Sequence, residues 1–300
     1  MRGIFTALVT PFNNRLELDL PAFKRILKTQ ADAKVSGVVV CGSTGESPTL
    51  THDEKKTLFQ TAVRELKGSG VKVLAGTGTY NTRESIELST MAEKEGVDGL
   101  LLVVPYYNKP SQFGMESHFT AIANSVKCEI MLYNVPGRTG VSLTPDTVVR
   151  LADHPRIRAL KDATGTTSFA ADTLEQLADK NIKMDILSGD DGNFLPLCSV
   201  GAVGVVSVAS NVIPKEMVAL HQAVEKSQLS EAVRLHQLYY PLFRDQFIES
   251  NPVPIKWVMQ YRGLCGAEIR QPLGALTNAS IEKLRTSLKR CKIPEGKPHD

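Results

Sequence analysis

Lys161 sits in the stretch Arg156-Ile157-Arg158-Ala159-Leu160-Lys161-Asp162-Ala163-Thr164-Gly165. Ile157, Ala159 and Leu160 read as a short strand, and Ala163-Thr164-Gly165 as the loop after it. Lys161 therefore falls where strand becomes loop and points its amine into whatever cavity the strand ends surround. Most lysines are solvated surface charges. One held in a partly dry pocket has its pKa lowered and becomes a nucleophile toward carbonyls.

The other strand ends supply candidate partners. Gly42-Ser43-Thr44-Gly45-Glu46 combines two glycines, which let the backbone turn sharply, with two hydroxyls and backbone N–H groups suited to a carboxylate. An ordinary Gly/Ser turn has the same composition. Pro105-Tyr106-Tyr107-Asn108 offers adjacent phenols, which equally describe a buried or interface pair. Tyr133-Asn134-Val135-Pro136-Gly137-Arg138-Thr139-Gly140 presents a phenol and a guanidinium on a Pro/Gly loop. Arg138 there can clamp a carboxylate bidentately or pair with a neighbouring acid. Ser188-Gly189-Asp190-Asp191 carries two carboxylates, which argue against a phosphorylated substrate. Gly76-Thr77-Gly78 lacks the third glycine and the downstream acid of a dinucleotide fingerprint. The six histidines show no HxH or HExxH spacing, so metal catalysis is not expected. Together these residues describe a site for a small carbonyl acid. The lysine attacks a keto group and the hydroxyls hold its carboxylate. A tyrosine moves protons, its pKa lowered beside a cationic imine.

Such a set needs a frame. Apolar runs at residues 4–9, 37–41, 71–75, 99–104, 129–133, 156–160, 183–187 and 203–207 read as strands. Amphipathic stretches lie between them, with Asp19, Thr51, Asn81 and Thr144 as caps and Thr51 to Glu54 spaced as a capping box. Strands alternating with helices imply a parallel sheet. The count predicts a (β/α)8 TIM barrel over residues 1–225, with an open doubly wound sheet as the alternative. Residues 226–300 read as a small C-terminal helical extension, with helices at 229–249, 253–262 and 280–291 separated by Pro-rich turns. The polar segment 293–300 reads as frayed.

Composition narrows the class. The chain is 42% hydrophobic and 22% charged, as in ordinary globular proteins. A net charge of +3 without a basic run predicts no nucleic-acid or membrane partner. The five cysteines are scattered and form no CxxC pair, which suits free thiols in a reducing compartment. The first residues do not read as a signal peptide, so a cytoplasmic location is expected.

Taken in order and spacing, the motifs around Ser43, Tyr107, Tyr133, Lys161 and Gly189 resemble those of the dihydrodipicolinate synthase family. That family belongs to the pyruvate-dependent class I aldolase superfamily, with the N-acetylneuraminate lyases. The resemblance runs from Gly3 to about Gly274 and includes Asn251-Pro252-Val253-Pro254-Ile255-Lys256-Trp257. Its motifs mark the superfamily more sharply than the member. It implies that Lys161 forms a Schiff base with pyruvate, without any cofactor, and that Tyr133 shuttles protons. Ser43, Tyr107 and Tyr133 would form a hydroxyl relay, with Tyr107 reaching in from a neighbouring subunit of a homotetramer, a dimer of dimers. Thr44, with Ser43, would hold the pyruvate carboxylate near Val206 and the Gly189 carbonyl. Arg138 would hold L-aspartate 4-semialdehyde by its carboxylate. The synthases often carry threonine where Ser43 stands, and lyases share the Ser-Thr pair, so Arg138 separates the two better. The implied reaction is condensation to 4-hydroxy-tetrahydrodipicolinate, toward lysine and diaminopimelate. Another pyruvate-dependent aldolase, and a non-catalytic keto-acid-binding homologue, are the alternatives.

The resemblance further implies an allosteric pocket for L-lysine at the tight subunit interface. Its positions here are Ser47, Pro48, Leu50 and His52, with Lys55, Tyr80, Glu84 and Tyr106. Lysine-inhibited members often carry histidine where Lys55 stands and asparagine where Tyr80 stands. A second ammonium repels the ligand's own and a phenol is bulkier than an amide, so weak or absent inhibition is expected. If both side chains swing into solvent, lysine still binds.

Overall fold

The computed structural model describes residues 1–296. Each apolar run pairs with its sequence neighbour. The strands are β1 (Gly3–Ala7), β2 (Gly37–Val40), β3 (Lys72–Gly76), β4 (Gly99–Val103), β5 (Glu129–Asn134), β6 (Ile157–Asp162), β7 (Asp185–Ser188) and β8 (Gly204–Ser207). All are parallel, and β1 pairs with both β2 and β8, so the sheet closes into a barrel rather than staying open. At the closing seam a Cβ on Gly204 would stand 2.2 Å from the Gly3 carbonyl oxygen, so only glycine lets the strands meet there. Strands such as GVVV of β2 are buried throughout, as expected where helices cover one face and side chains fill the barrel on the other.

β6 runs further than its apolar run predicts. Tyr133 and Asn134 of β5 pair in register with Lys161 and Asp162, so the ladder continues through two charged residues of poor strand propensity. Lys161 is thus inside the strand.

The helices outside the barrel are α1 (Leu20–Ala33), α2 (His52–Leu66), α3 (Thr82–Lys94), α4 (Gln112–Ser125), α5 (Pro136–Thr139), α6 (Pro145–Ala152), α7 (Thr167–Asp179), α8 (Phe194–Cys198) and α9 (Pro214–Glu225). The caps are where local chemistry puts them. Asp19 accepts from the Ala22 amide at 2.9 Å, and Thr51 and Glu54 complete a reciprocal capping box. Asn81 and Thr144 also cap. The single turns α5 and α8 carry too little periodicity to be read from sequence.

The C-terminal helices are α10 (Leu229–Asp245), α11 (Val253–Tyr261) and α12 (Asn278–Arg290). Leu242, Ile255, Met259 and Leu284 join the same hydrophobic cluster as the barrel strands. Of the segment expected to fray, residues 293–296 are tied down: Ile293 donates to the Leu288 carbonyl at 2.9 Å and Gly296 to Tyr261 at 3.0 Å. Residues 297–300 lie outside the described residues. The five cysteines are unpaired; Cys41 and Cys291 are buried and the others half-buried. Among the described residues no helix is long and apolar enough to cross a membrane.

Candidate active site

Parallel register sets the centre of the site. Lys161 in β6 is the Cα partner of Tyr133 in β5, so the two side chains leave the barrel wall side by side. The Lys161 Nζ stands 4.0 Å from the Tyr133 ring centroid. Lys161 is only 5% exposed. Burial, helped by the nearby Arg138 charge, pulls its pKa down to about 7, against the opposing pull of Asp191 and Asp190. About half the amines are then neutral at neutral pH. Burial pushes the Tyr133 phenol the other way, up to about 12. The lowered phenol expected from the sequence belongs to a later state, with a cationic imine beside the ring. That imine forms only in the reaction, and in the resting site about half of the lysine amines carry no charge. The resting phenol is therefore a proton donor.

The loop after β2 forms a second wall. The Gly45 amide donates to the Gly42 carbonyl at 3.0 Å, and Thr10 donates its hydroxyl to the Gly45 carbonyl at 2.7 Å. Thr44 is buried, and its Oγ1 accepts from the Asn251 side-chain amide at 2.9 Å. Arg138, on α5, is exposed and makes no ion pair among the described residues, so the pairing with a neighbouring acid allowed by the sequence does not occur. Its Nη2 points to the Asn251 carbonyl oxygen at 3.5 Å.

Gly189 follows β7 and donates to the Asp162 carbonyl at 2.6 Å; a Cβ there would stand 2.8 Å from the Ala163 Cβ. Val206 is buried in β8 opposite Phe5. The two acids beside Gly189 bind the protein's own amides. Asp191 accepts from the Val208 and Ala209 amides and from Gln246 at 2.8 Å, and Asp190 accepts from Gly192 at 2.7 Å.

Ser43 and Tyr133 line a cavity of about 410 Å³. Its outer wall holds Ser47, Pro48, Leu50 and His52, together with Lys55, Tyr80, Glu84 and Tyr106. The eight positions suggested for an effector therefore come together, and the cavity that joins them reaches Tyr133. Lys55 is only 6% exposed, and its ammonium has no hydrogen-bond acceptor among the described residues. Burial lowers its pKa, opposed by Cys41 and Glu84. The Glu84 carboxylate lies 3.7 Å from the His52 ring nitrogen. Tyr80 is half in solvent and stands edge-on to Tyr106, ring centroids 5.3 Å apart.

Tyr107 is not brought to this site within the chain. It is 88% exposed, has φ of 69° and does not line the cavity.

Several residues that hold the loop after β2 receive no role from the sequence. Asn251 is one. Others are Lys256, whose Nζ donates to Glu46 at 2.7 Å with both side chains fully buried, and Arg270, whose amide donates to the same carboxylate at 3.1 Å. The Pro-rich turn at 251–254 was a visible signal, but nothing local in it points to the loop after β2. Among the described residues no group of three or more His, Cys, Asp or Glu side chains is placed to hold a metal.

The profile of the Dihydrodipicolinate synthetase family matches residues 1–291. A curated relative from Leptospira biflexa, named 4-hydroxy-tetrahydrodipicolinate synthase, is 45% identical over 94% of this chain and 94% of its own. The solved 4-hydroxy-tetrahydrodipicolinate synthase of Methylacidiphilum fumariolicum superposes with a TM-score of 0.94 at 45% identity, covering 97% of this chain and 96% of its own. A relative from Cyanidioschyzon merolae, solved with lysine bound, superposes with a TM-score of 0.92 at 37% identity, covering 97% and 98%. The chain belongs to the Dihydrodipicolinate synthetase family.

Proposed function

We infer that this chain is a Schiff-base lyase that condenses pyruvate with L-aspartate 4-semialdehyde to 4-hydroxy-tetrahydrodipicolinate, in lysine and diaminopimelate biosynthesis. The observation that carries the chemistry is the buried Lys161 amine, about 7 in pKa, 4.0 Å from the centre of the Tyr133 ring. The free amine attacks C2 of pyruvate. Tyr133 donates a proton to the carbinolamine oxygen, which leaves as water. Loss of a C3 proton converts the iminium to the enamine, whose C3 attacks the aldehyde carbon, and the new alkoxide takes a proton. The amine of the second substrate then displaces Lys161 and closes the ring. No cofactor is needed, because the iminium is the electron sink.

Ser43 and Tyr107 extend the proton path from Tyr133, with Tyr107 supplied by a neighbouring subunit. Thr44 and Ser43 receive the pyruvate carboxylate, beside the Gly189 carbonyl and Val206. Arg138, unpaired with any acid among the described residues, receives the semialdehyde carboxylate. The reading includes a homotetramer working in the cytoplasm, where five free thiols stay reduced.

Borohydride reduction in the presence of pyruvate should leave one adduct, on the peptide bearing Lys161, and Lys161→Ala should abolish it while the fold survives. In the same assay Arg138→Ala should still trap pyruvate but lose turnover with the semialdehyde by roughly 30- to 1000-fold, about 2–4 kcal/mol. An adduct on a different lysine would end the reading.

The outer wall of the cavity also bears on control by L-lysine. A buried Lys55 ammonium without an acceptor repels the ammonium groups of a lysine ligand, and Tyr80 narrows the mouth, so inhibition is weak.

A further inference from the structure

We propose that Asn251, at the entry to α11 in the C-terminal extension, aims the Thr44 hydroxyl at the keto acid's carboxylate. The inference rests on the pyruvate chemistry above. A threonine hydroxyl has one proton to give and lone pairs to receive. The Asn251 Nδ2 donates to Thr44 Oγ1 at 2.9 Å, so one lone pair is engaged and the proton is turned away from Asn251. Thr44 Oγ1 has no second partner among the described residues, which leaves that proton for an anion in the site.

Two further observations place Asn251 at the site rather than in a remote packing role. Its backbone oxygen receives Arg138 Nη2 at 3.5 Å, so one residue touches both groups assigned to substrate carboxylates. Its side-chain Oδ1 is buried without a hydrogen-bond partner. A buried acceptor left unpaired is costly, and an N–H or O–H donor arriving with a substrate relieves it. Asn251 itself is only 6% exposed.

The geometry is held rigidly. Lys256, on the helix that Asn251 precedes, is buried against Glu46, on the loop that carries Thr44. The turn bearing the donor and the loop bearing the hydroxyl are therefore fastened to each other beside the bond in question. Asn251 is a positioning residue: it acts through Thr44.

Pyruvate trapping and steady-state kinetics of the full-length enzyme test this with Asn251→Asp, Asn251→Ala, Thr44→Val and the double variant Asn251→Asp/Thr44→Val. The introduced carboxylate keeps the shape of the amide but accepts the Thr44 proton. Asn251→Asp should raise the pyruvate KM about tenfold or more, the scale of one charge-assisted hydrogen bond, with kcat at saturating pyruvate changed far less. Asn251→Ala, which adds no charge, should raise it about threefold and serves if the Asp variant does not fold. In the double variant Asn251→Asp should add little to Thr44→Val, because its route to the substrate is already gone. Full additivity, or an unchanged pyruvate KM in Asn251→Asp, would overturn the proposal, even with the native enzyme trapping pyruvate on Lys161. No native adduct would overturn the pyruvate reading and the proposal together.

Discussion

Two loops leave the same end of the barrel and are held in opposite ways. The loop after β2, residues 42–46, is fastened from within the chain. Asn251 bonds Thr44, Lys256 pairs with a fully buried Glu46, and the Arg270 amide reaches the same carboxylate. The loop after β4, residues 105–110, has little to hold it. Tyr107 and Lys109 take φ of 69° and 46°, costly for side chains with a Cβ, and Tyr107 is 88% in solvent. Asn108 donating to the Tyr80 carbonyl at 3.1 Å is its main outside tie. A single chain thus fastens the loop that carries Thr44 by itself, whereas the exposed phenol of Tyr107 lines no part of the cavity in its own chain. The proposed relay requires a neighbouring subunit to receive it.

The contrast breaks most sharply at Lys256. Lys256→Met leaves the Glu46 carboxylate buried and stripped of its ammonium, which should lower unfolding free energy by about 3–5 kcal/mol in a denaturant titration. Replacing both partners with apolar residues should recover most of that loss. A single-variant loss below about 1 kcal/mol would mean that the loop is not held by this pair.

Tyr107 should behave in the reverse manner. Tyr107→Ala should leave unfolding unchanged, since the side chain packs on little, yet lower turnover about a hundredfold, the scale of one positioned proton-transfer group. Dilution below the subunit dissociation constant should have the same effect. A monomer that keeps full activity would show that the exposed loop works alone.

The pH profile probes the interior both loops surround. The Lys161 pKa is lowered from 10.5 to about 7, and in the proposed chemistry the neutral amine is the nucleophile. The second-order rate of adduct formation should therefore be level above about pH 7 and fall about tenfold per unit below it. A profile still rising through pH 9 would contradict a dry lysine.

L-Lysine should produce the smallest effect. At subsaturating pyruvate, millimolar L-lysine should inhibit less than about twofold, while Lys55→His/Tyr80→Asn should become more sensitive. Strong inhibition of the native enzyme at micromolar lysine would show that Lys55 and Tyr80 leave the pocket open.

What could be read in advance follows the range of each interaction. All eight strands and the caps at Asp19, Thr51, Asn81 and Thr144 were legible, because their signals span a few residues. The end of β6 was not, since Lys161 and Asp162 stay in the ladder only because Tyr133 and Asn134 lie beside them. In the site, Lys161, Tyr133, Ser43, Thr44 and Arg138 were visible as chemistry-bearing types at strand ends. Their environment was not: burial pushes the resting Tyr133 phenol up to about 12, a shift that no neighbour in sequence signals.

The amino-acid sequence alone determined the alternation of strands and helices, the barrel count and the motifs of the family, all carried by side chains close in sequence. Only the tertiary structure decided which residues hold the site in place. Asn251 meets Thr44 across 207 positions, and Lys256 meets Glu46 across 210. No periodicity or spacing encodes a contact between residues so far apart. The Lys161 pKa is likewise a property of what covers the amine, because desolvation depends on the atoms that exclude water and not on neighbours along the chain.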